Sequence, residues 1–172
     1  MSIEYSLTHS PQKHVESTLQ VDNYPASLRT PRACFVTLTI HDNLRGCIGS
    51  LEAEQLLIID VIQNARKAAF FDPRFPPVTL TELTKLRIQL SVLSQPQAMN
   101  FTSEPDLLRQ IQPGVDGLIL EDINHRATFL PSVWDTLPDA VSFLQHLKQK
   151  AGFSTDYWSN TIKCARYTVN SF

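Results

Sequence analysis

The sequence predicts an α+β fold, and three observations carry that expectation. Two stretches have the alternation and turn chemistry of β-hairpins, two others repeat apolar residues at helical spacing, and the same order of elements returns after 81 residues. The chain has 172 residues, 42% hydrophobic and 19% charged, which suits one well-filled core rather than a disordered chain. A single domain is the default, with residues 1–32 an irregular segment packed on or trailing a folded body of residues 33–172.

Pro11, Pro25 and Pro31 interrupt the leading segment, where only the stretch from His14 to Leu19 reads as a short helix. Residues 33–40, rich in β-branched and apolar side chains, read as a buried strand. His41-Asp42-Asn43 is turn chemistry, because Asp and Asn bond locally and tolerate left-handed backbone; residues 44–49 then return as the second strand. Over residues 54–70 a helix is predicted, with Ile58, Val61, Ile62, Ala65, Ala68 and Ala69 on one face and Asp60, Gln63, Arg66 and Lys67 off it. Pro73 disfavours helical backbone before it, so the helix stops near Asp72 and Asp72-Pro73-Arg74-Phe75-Pro76-Pro77 becomes a stiff connector. That connector is expected near Cys47, since the helix must pack back onto the first hairpin.

Residues 86–93 alternate apolar and polar, so Ile88, Leu90 and Val92 are expected to face the helix. Ser103, with Asp106 three residues on, opens a short helix to about Ile111. After the turn cluster Pro113-Gly114-Val115-Asp116-Gly117, residues 118–121 and 126–130 form a second hairpin around Asp122-Ile123-Asn124-His125. A second amphipathic helix spans residues 138–151, with Val141, Leu144, Leu147 and Ala151 inward and Gly152 ending it. One turn around Trp158 and a strand over residues 162–169 close the chain.

The halves share a plan. A shift of 81 places Leu44-Arg45-Gly46-Cys47 on His125-Arg126-Ala127-Thr128 and the first helix on the second. Function would then sit on one side of a pseudo-symmetric scaffold, because Gly-Cys-Ile-Gly occurs in the first copy only.

Composition excludes several classes. A net charge of −2 without a Lys/Arg run argues against nucleic acid, and no apolar run approaches a membrane span. The opening residues lack a basic segment followed by an apolar stretch, so no signal peptide is expected. Three widely spaced cysteines, at 34, 47 and 164, suit a reducing compartment, and the cytoplasm is the expected location. Cys34, His41 and Cys47 lack the close pairing of zinc sites, so no metal is expected. No cofactor is expected either, there being neither G-x-G-x-x-G nor a Walker loop. His41 and His125 read as solvated turn residues, and Cys164, Trp134 and Trp158 as packing residues.

Reactive chemistry and permissive backbone coincide at Leu44-Arg45-Gly46-Cys47-Ile48-Gly49. Two readings stand. In one, Cys47 is a catalytic nucleophile or redox thiol, Arg45 shares its strand face and favours the thiolate, and the amides at Gly46 and Gly49 form a small anion nest. In the other, Cys47 is a small hydrophobe in a strand with a tight exit.

These motifs, with Phe35-Val36-Thr37-Leu38, Ala68-Ala69-Phe70, the Asp72-to-Pro77 connector, Glu82-Leu83, Ser91-Val92-Leu93, Gly114-Val115-Asp116-Gly117, Leu130-Pro131 and Lys150-Ala151-Gly152, resemble the AMMECR-type domain family. Its bacterial form is called AmmeMemoRadiSam system protein A. The resemblance covers residues 33–169, departing at the weak leading helix and at Ser132-Val133-Trp134. It implies two similar β-α-β units sharing one mixed, barrel-like sheet with flanking helices. It also implies company with Memo-like proteins and radical S-adenosylmethionine proteins, with no reaction assigned to the domain itself. Asp72, Arg74 and Glu82 enter as substrate-orienting residues through that resemblance alone. A small-molecule enzyme centred on Cys47 and a non-catalytic assembly module for those partners are the two functions it leaves.

Overall fold

The computed structural model describes residues 19–172, so the helix expected from His14 lies outside the described residues. The chain divides into two compact units. One runs up to Leu93 and includes Asn170–Phe172; the other is Ser94–Val169.

The first unit has 3-10 turns at Val21–Asn23 and Ala26–Leu28, then strands β1 (Cys34–Ile40) and β2 (Asn43–Gly49), helices α1 (Leu57–Phe70) and α2 (Leu80–Leu83), and strand β3 (Leu86–Leu93). The last strand of the chain, β8 (Val169–Ser171), completes its sheet in the order β2-β1-β3-β8. The second unit has β4 (Gln97–Ala98), α3 (Glu104–Gln110), β5 (Gly117–Asp122), β6 (His125–Phe129), a 3-10 turn at Pro131–Asp135, α4 (Ala140–Lys150) and β7 (Lys163–Tyr167). Its sheet runs β4-β7-β5-β6. The fold is α+β, and the repeated plan is visible: in each unit a hairpin's first strand takes, on its free side, the antiparallel strand that follows the helix.

The single mixed, barrel-like sheet is replaced by two four-stranded sheets, and the described residues form no closed sheet. β1 is antiparallel to β2 and β3, as β5 is to β6 and β7 and β4 to β7. After Leu93 the chain leaves β3 through Ser94-Gln95-Pro96, and Pro96 has no N–H with which to continue a ladder. The next strand, β4, pairs with β7 instead.

Two-residue turns close both hairpins. His41 (φ 49°) and Asp42 (φ 64°) are both left-handed, as the twist of a tight hairpin demands, while Asn43 already belongs to β2. The second turn places Ile123 at φ 53°, a costly conformation for a β-branched residue.

The buried face of α1 keeps Ala65, Ala68 and Ala69 of the predicted stripe but not Ile58, Val61 and Ile62. It is Leu57, Asp60, Asn64, Ala65, Ala68 and Ala69, with Ile58, Val61 and Ile62 only half-buried. Two polar residues belong there because they serve backbone groups at the start of β1. Asp60 accepts the Cys34 N–H (2.9 Å) and the Ser50 hydroxyl (2.6 Å), while the Asn64 amide donates to the Cys34 carbonyl (3.1 Å). The small alanines let the helix approach the sheet closely. Since α1 packs on β1 and β2, Leu86 and Leu90 reach its core but Ile88 is 60% exposed, against expectation.

The second unit is organised around Leu107, Leu118, Leu120, Phe143, Leu144 and Leu147. Phe143 stacks on Trp134 at 3.8 Å and takes the core place expected of Val141, which is 49% exposed. Ser103 and Asp139 cap their helices through the N–H groups of Asp106 and Ser142, and Gly152 (φ 89°) releases α4. Buried Asp122 gathers the hydroxyls of Tyr157 (2.7 Å), Thr161 (2.7 Å) and Ser159, and these bonds, Ser159's first, lower its pKa to about 2. Cys164 lies in this core, as expected.

Candidate functional site

The site begins with an irregularity in β2. Thr39 pairs with Leu44 but Leu38 pairs with Gly46, so Arg45 is an extra residue in the ladder. A bulge bends its strand and re-aims side chains, which suspends the rule that residues two apart share a face. Arg45 accordingly turns to the connector. Its Nε and Nη2 donate to Glu82 at 2.8 and 3.2 Å, and its remaining donors reach the carbonyls of Pro76 (2.8 Å) and Pro77 (3.2 Å). Glu82 also accepts the Thr79 N–H (2.8 Å) and hydroxyl (2.9 Å), closing a capping box on α2. Arg45's hydrogen bond first, then Thr79's, lower the Glu82 pKa to about 2.

β2 is an edge strand, so the main chain of Cys47 faces away from β1. The connector supplies the missing neighbour. Asp72 accepts the Cys47 N–H at 2.8 Å, and Arg74 Nη2 donates to the Cys47 carbonyl at 3.2 Å. Asp72 and Arg74 are themselves joined, Nε to Oδ1 at 2.9 Å and Nη2 to Oδ2 at 2.7 Å. Arg74's bond, more than any other cause, holds the Asp72 carboxyl far below the usual carboxylate range. Pro73 between them limits the backbone, so the fork and its acceptor stay in register.

The thiol of Cys47 lies on the sheet face away from α1, half-buried, 3.3 Å from the hydroxyl of its cross-strand neighbour Thr37. The guanidinium beside it is Arg74's, whose Nη2 reaches the Cys47 carbonyl and whose charged form the Asp72 carboxylate favours. Arg45, expected to be that cation, is committed to Glu82 and the prolines. The other thiols differ sharply. Cys34 is fully buried and Cys164 is 4% exposed, and burial, before any neighbouring carboxylate, pushes each up to about 12.

Gly46 and Gly49 are there for packing. A Cβ on Gly46 would lie 2.1 Å from the Ala68 carbonyl oxygen, so glycine is what lets α1 sit on β2. A Cβ on Gly49 would lie 2.3 Å from the Phe35 ring. An anion nest requires left-handed backbone, and neither glycine has positive φ. Among the described residues no three His, Cys, Asp or Glu side chains converge to hold a metal, and no helix is long and apolar enough to cross a membrane. His41 is exposed in its turn, whereas His125 binds the Ala151 carbonyl through Nδ1 at 2.8 Å and so braces α4.

The structure therefore brings Cys47, Asp72 and Arg74 together, and joins Arg45 to Glu82 beside the same connector. Thr37, Thr79, Asp60 and Asn64 were not singled out from sequence. Thr79-x-x-Glu82 is a readable capping signal; Thr37 depends on a register that the bulge shifts by one.

The comparisons with known proteins agree with this architecture. A solved structure of an uncharacterised protein from Pyrococcus horikoshii superimposes with a TM-score of 0.79 at 32% identity, covering 99% of this chain and 84% of that one. A protein of Methanocaldococcus jannaschii is 36% identical over 160 residues, 88% of this chain and 78% of that protein. One from Methanothermobacter thermautotrophicus is 42% identical over 155 residues, 88% and 80% of the two chains. The family match itself runs over residues 2–172, well beyond the motifs around Cys47: the chain belongs to the AMMECR1 family.

Proposed function

We propose that Cys47 is a nucleophilic or redox thiol serving a small-molecule substrate beside β1 and β2, in a cytoplasmic protein that works with Memo-like and radical S-adenosylmethionine proteins. One observation supports this reading above the others: among three free cysteines, Cys47 alone is not buried, and it has a hydroxyl and a guanidinium beside it. The reading relocates the cationic role from Arg45 to Arg74. Arg45, Glu82 and Asp72 then act as positioning residues that fix the strand carrying the thiol.

Iodoacetamide labelling of the native protein, followed by peptide mapping, tests it. Cys47 should label first, and Arg74→Met should slow it at neutral pH while Arg45→Met changes the rate little. Labelling of Cys47 no faster than Cys34 or Cys164 would remove the thiol from the chemistry.

A second reading has its own support. Asp72, Arg74, Arg45 and Glu82 satisfy one another and the edge of β2, as a structural clamp would. In that reading the protein is a non-catalytic assembly module for the same partners. Cys47→Ser would then leave the activity of the assembled system intact, whereas the first reading requires its loss.

A further inference from the structure

One helix cannot cover a four-stranded sheet. An α-helix is about 10 Å across with side chains, and strands are spaced about 4.8 Å apart, so a single helix shields about two of them. In the first unit α1 lies on β1 and β2, and among the described residues no second helix lies over β3 and β8 on that face. The segment before β1 bridges part of the gap. Pro31 pairs with Leu56, Arg32 N–H donates to the Gln55 carbonyl (3.4 Å), and Leu57 N–H donates to the Thr30 carbonyl (3.0 Å). This ties the 3-10 turn at Ala26–Leu28 to the start of α1, and Ser27, Leu28, Thr30 and Arg32 line a half-open cavity of about 710 Å3.

The cavity's chemistry is two-sided. Leu28, Leu57, Leu90 and Val92 give it aliphatic walls, and Arg32 and Asn170 are among its polar groups. Arg32 is half-buried, and among the described residues its guanidinium makes one long bond, Nη1 to the Leu93 carbonyl at 3.5 Å. Among the described residues no carboxylate pairs with it; the neighbouring Arg29 is turned to Asp22 at 3.5 Å. A guanidinium has five donors in a planar fork matched to a carboxylate, and among the described residues most of these have no partner. The Asn170 amide adds a donor and an acceptor on the β8 side. A volume of this size falls within the range of small-molecule sites.

We propose that this cavity binds a small amphipathic carboxylate, its apolar body against Leu28, Leu57, Leu90 and Val92 and its head group on the fork of Arg32. A single guanidinium with aliphatic walls matches a singly charged head on an apolar body; a phosphate dianion would call for further cations. The site is built wholly within the first unit and stands apart from the Cys47 reading, which can fail without it.

The test is binding of phenylpropionate and its neutral amide, phenylpropionamide, to the full chain, by saturation-transfer NMR and calorimetry. The acid should bind saturably and about tenfold more tightly than the amide, as a charge-assisted bidentate contact implies. Arg32→Met should erase that preference, Arg32→Lys should retain part of it, and Leu28→Trp should block both probes by filling the cavity. Thermal midpoints near wild type would show that the variants are folded. The acid-to-amide ratio in the wild-type protein decides the matter even if a variant does not fold. No saturable binding up to about 10 mM, equal binding of acid and amide, or a preference that survives Arg32→Met would each overturn the proposal.

Discussion

The two hairpins carry the same plan to different ends. β1–β2 and β5–β6 each have a two-residue turn, a helix to follow and a third strand beside the first, yet only β2 has a bulge. Past that bulge, Gly46 and Cys47 pair with Leu38 and Thr37 as Ala127 and Thr128 pair with Leu120 and Ile119. Gly46 leaves room for the Ala68 carbonyl, where the second hairpin accommodates the methyl of Ala127. Cys47 keeps a half-buried thiol against Thr37, whereas Thr128 is buried with its hydroxyl 3.0 Å from that of Tyr167. Both edge strands are capped from the carboxyl end of the helix that follows. Lys150 donates to the Thr128 carbonyl at 2.9 Å, while Asp72 and Arg74 hold both the N–H and the carbonyl of Cys47. The first unit thus commits two charged residues where the second uses one. That extra rigidity surrounds the one thiol that is not buried.

The sharpest way to break the comparison is to exchange the small residues. Gly46→Ala should destabilise by about 3 kcal/mol, because backbone rather than a flexible side chain occupies the space; Ala127→Gly should cost about 1 kcal/mol. Urea unfolding of the two variants decides it, and equal costs would mean that α1 can retreat from β2.

Next comes the clamp. Asp72→Asn should cost about 2 kcal/mol, since it weakens the acceptor of the Cys47 N–H and leaves Arg74 without its counter-ion; Lys150→Met should cost about 1 kcal/mol. Faster hydrogen exchange at the Cys47 amide in Asp72→Asn, with β6 unchanged, would locate the damage.

Glu82→Gln should cost about 1 kcal/mol at neutral pH, and its deficit should shrink in acid. The folded pKa of Glu82, about 2, lies below its ordinary 4.5, so its contribution is fully present above about 4.5 and fades as pH falls through about 2. Parallel stability curves for wild type and Glu82→Gln over that range would show that the Arg45–Glu82 pair contributes nothing.

The smallest effect belongs to the second turn. Ile123 is 75% exposed at φ 53°, so Ile123→Gly should stabilise by about 0.7 kcal/mol. Asp42→Gly, at a residue that tolerates left-handed backbone, should gain less. Thermal unfolding of both measures the difference.

Local chemistry was legible in the sequence wherever a residue acts on its neighbours along the chain. The hairpin turns, the cap at Ser103, the stop at Pro73 and the release at Gly152 are all decided within a few residues, so composition and spacing determine them. The closeness of the Asp72–Pro77 connector to Cys47 was legible too, because a helix that packs back on its hairpin returns its end there. Tertiary structure alone decided the rest. Asp60 and Asn64 belong inward only once the Cys34 backbone stands beside them, since burial of a polar group is favourable only with its partner in place. Arg45 leaves Cys47 because one extra residue in β2 rotates it, and no periodicity announces a bulge before the partner strand sets the register.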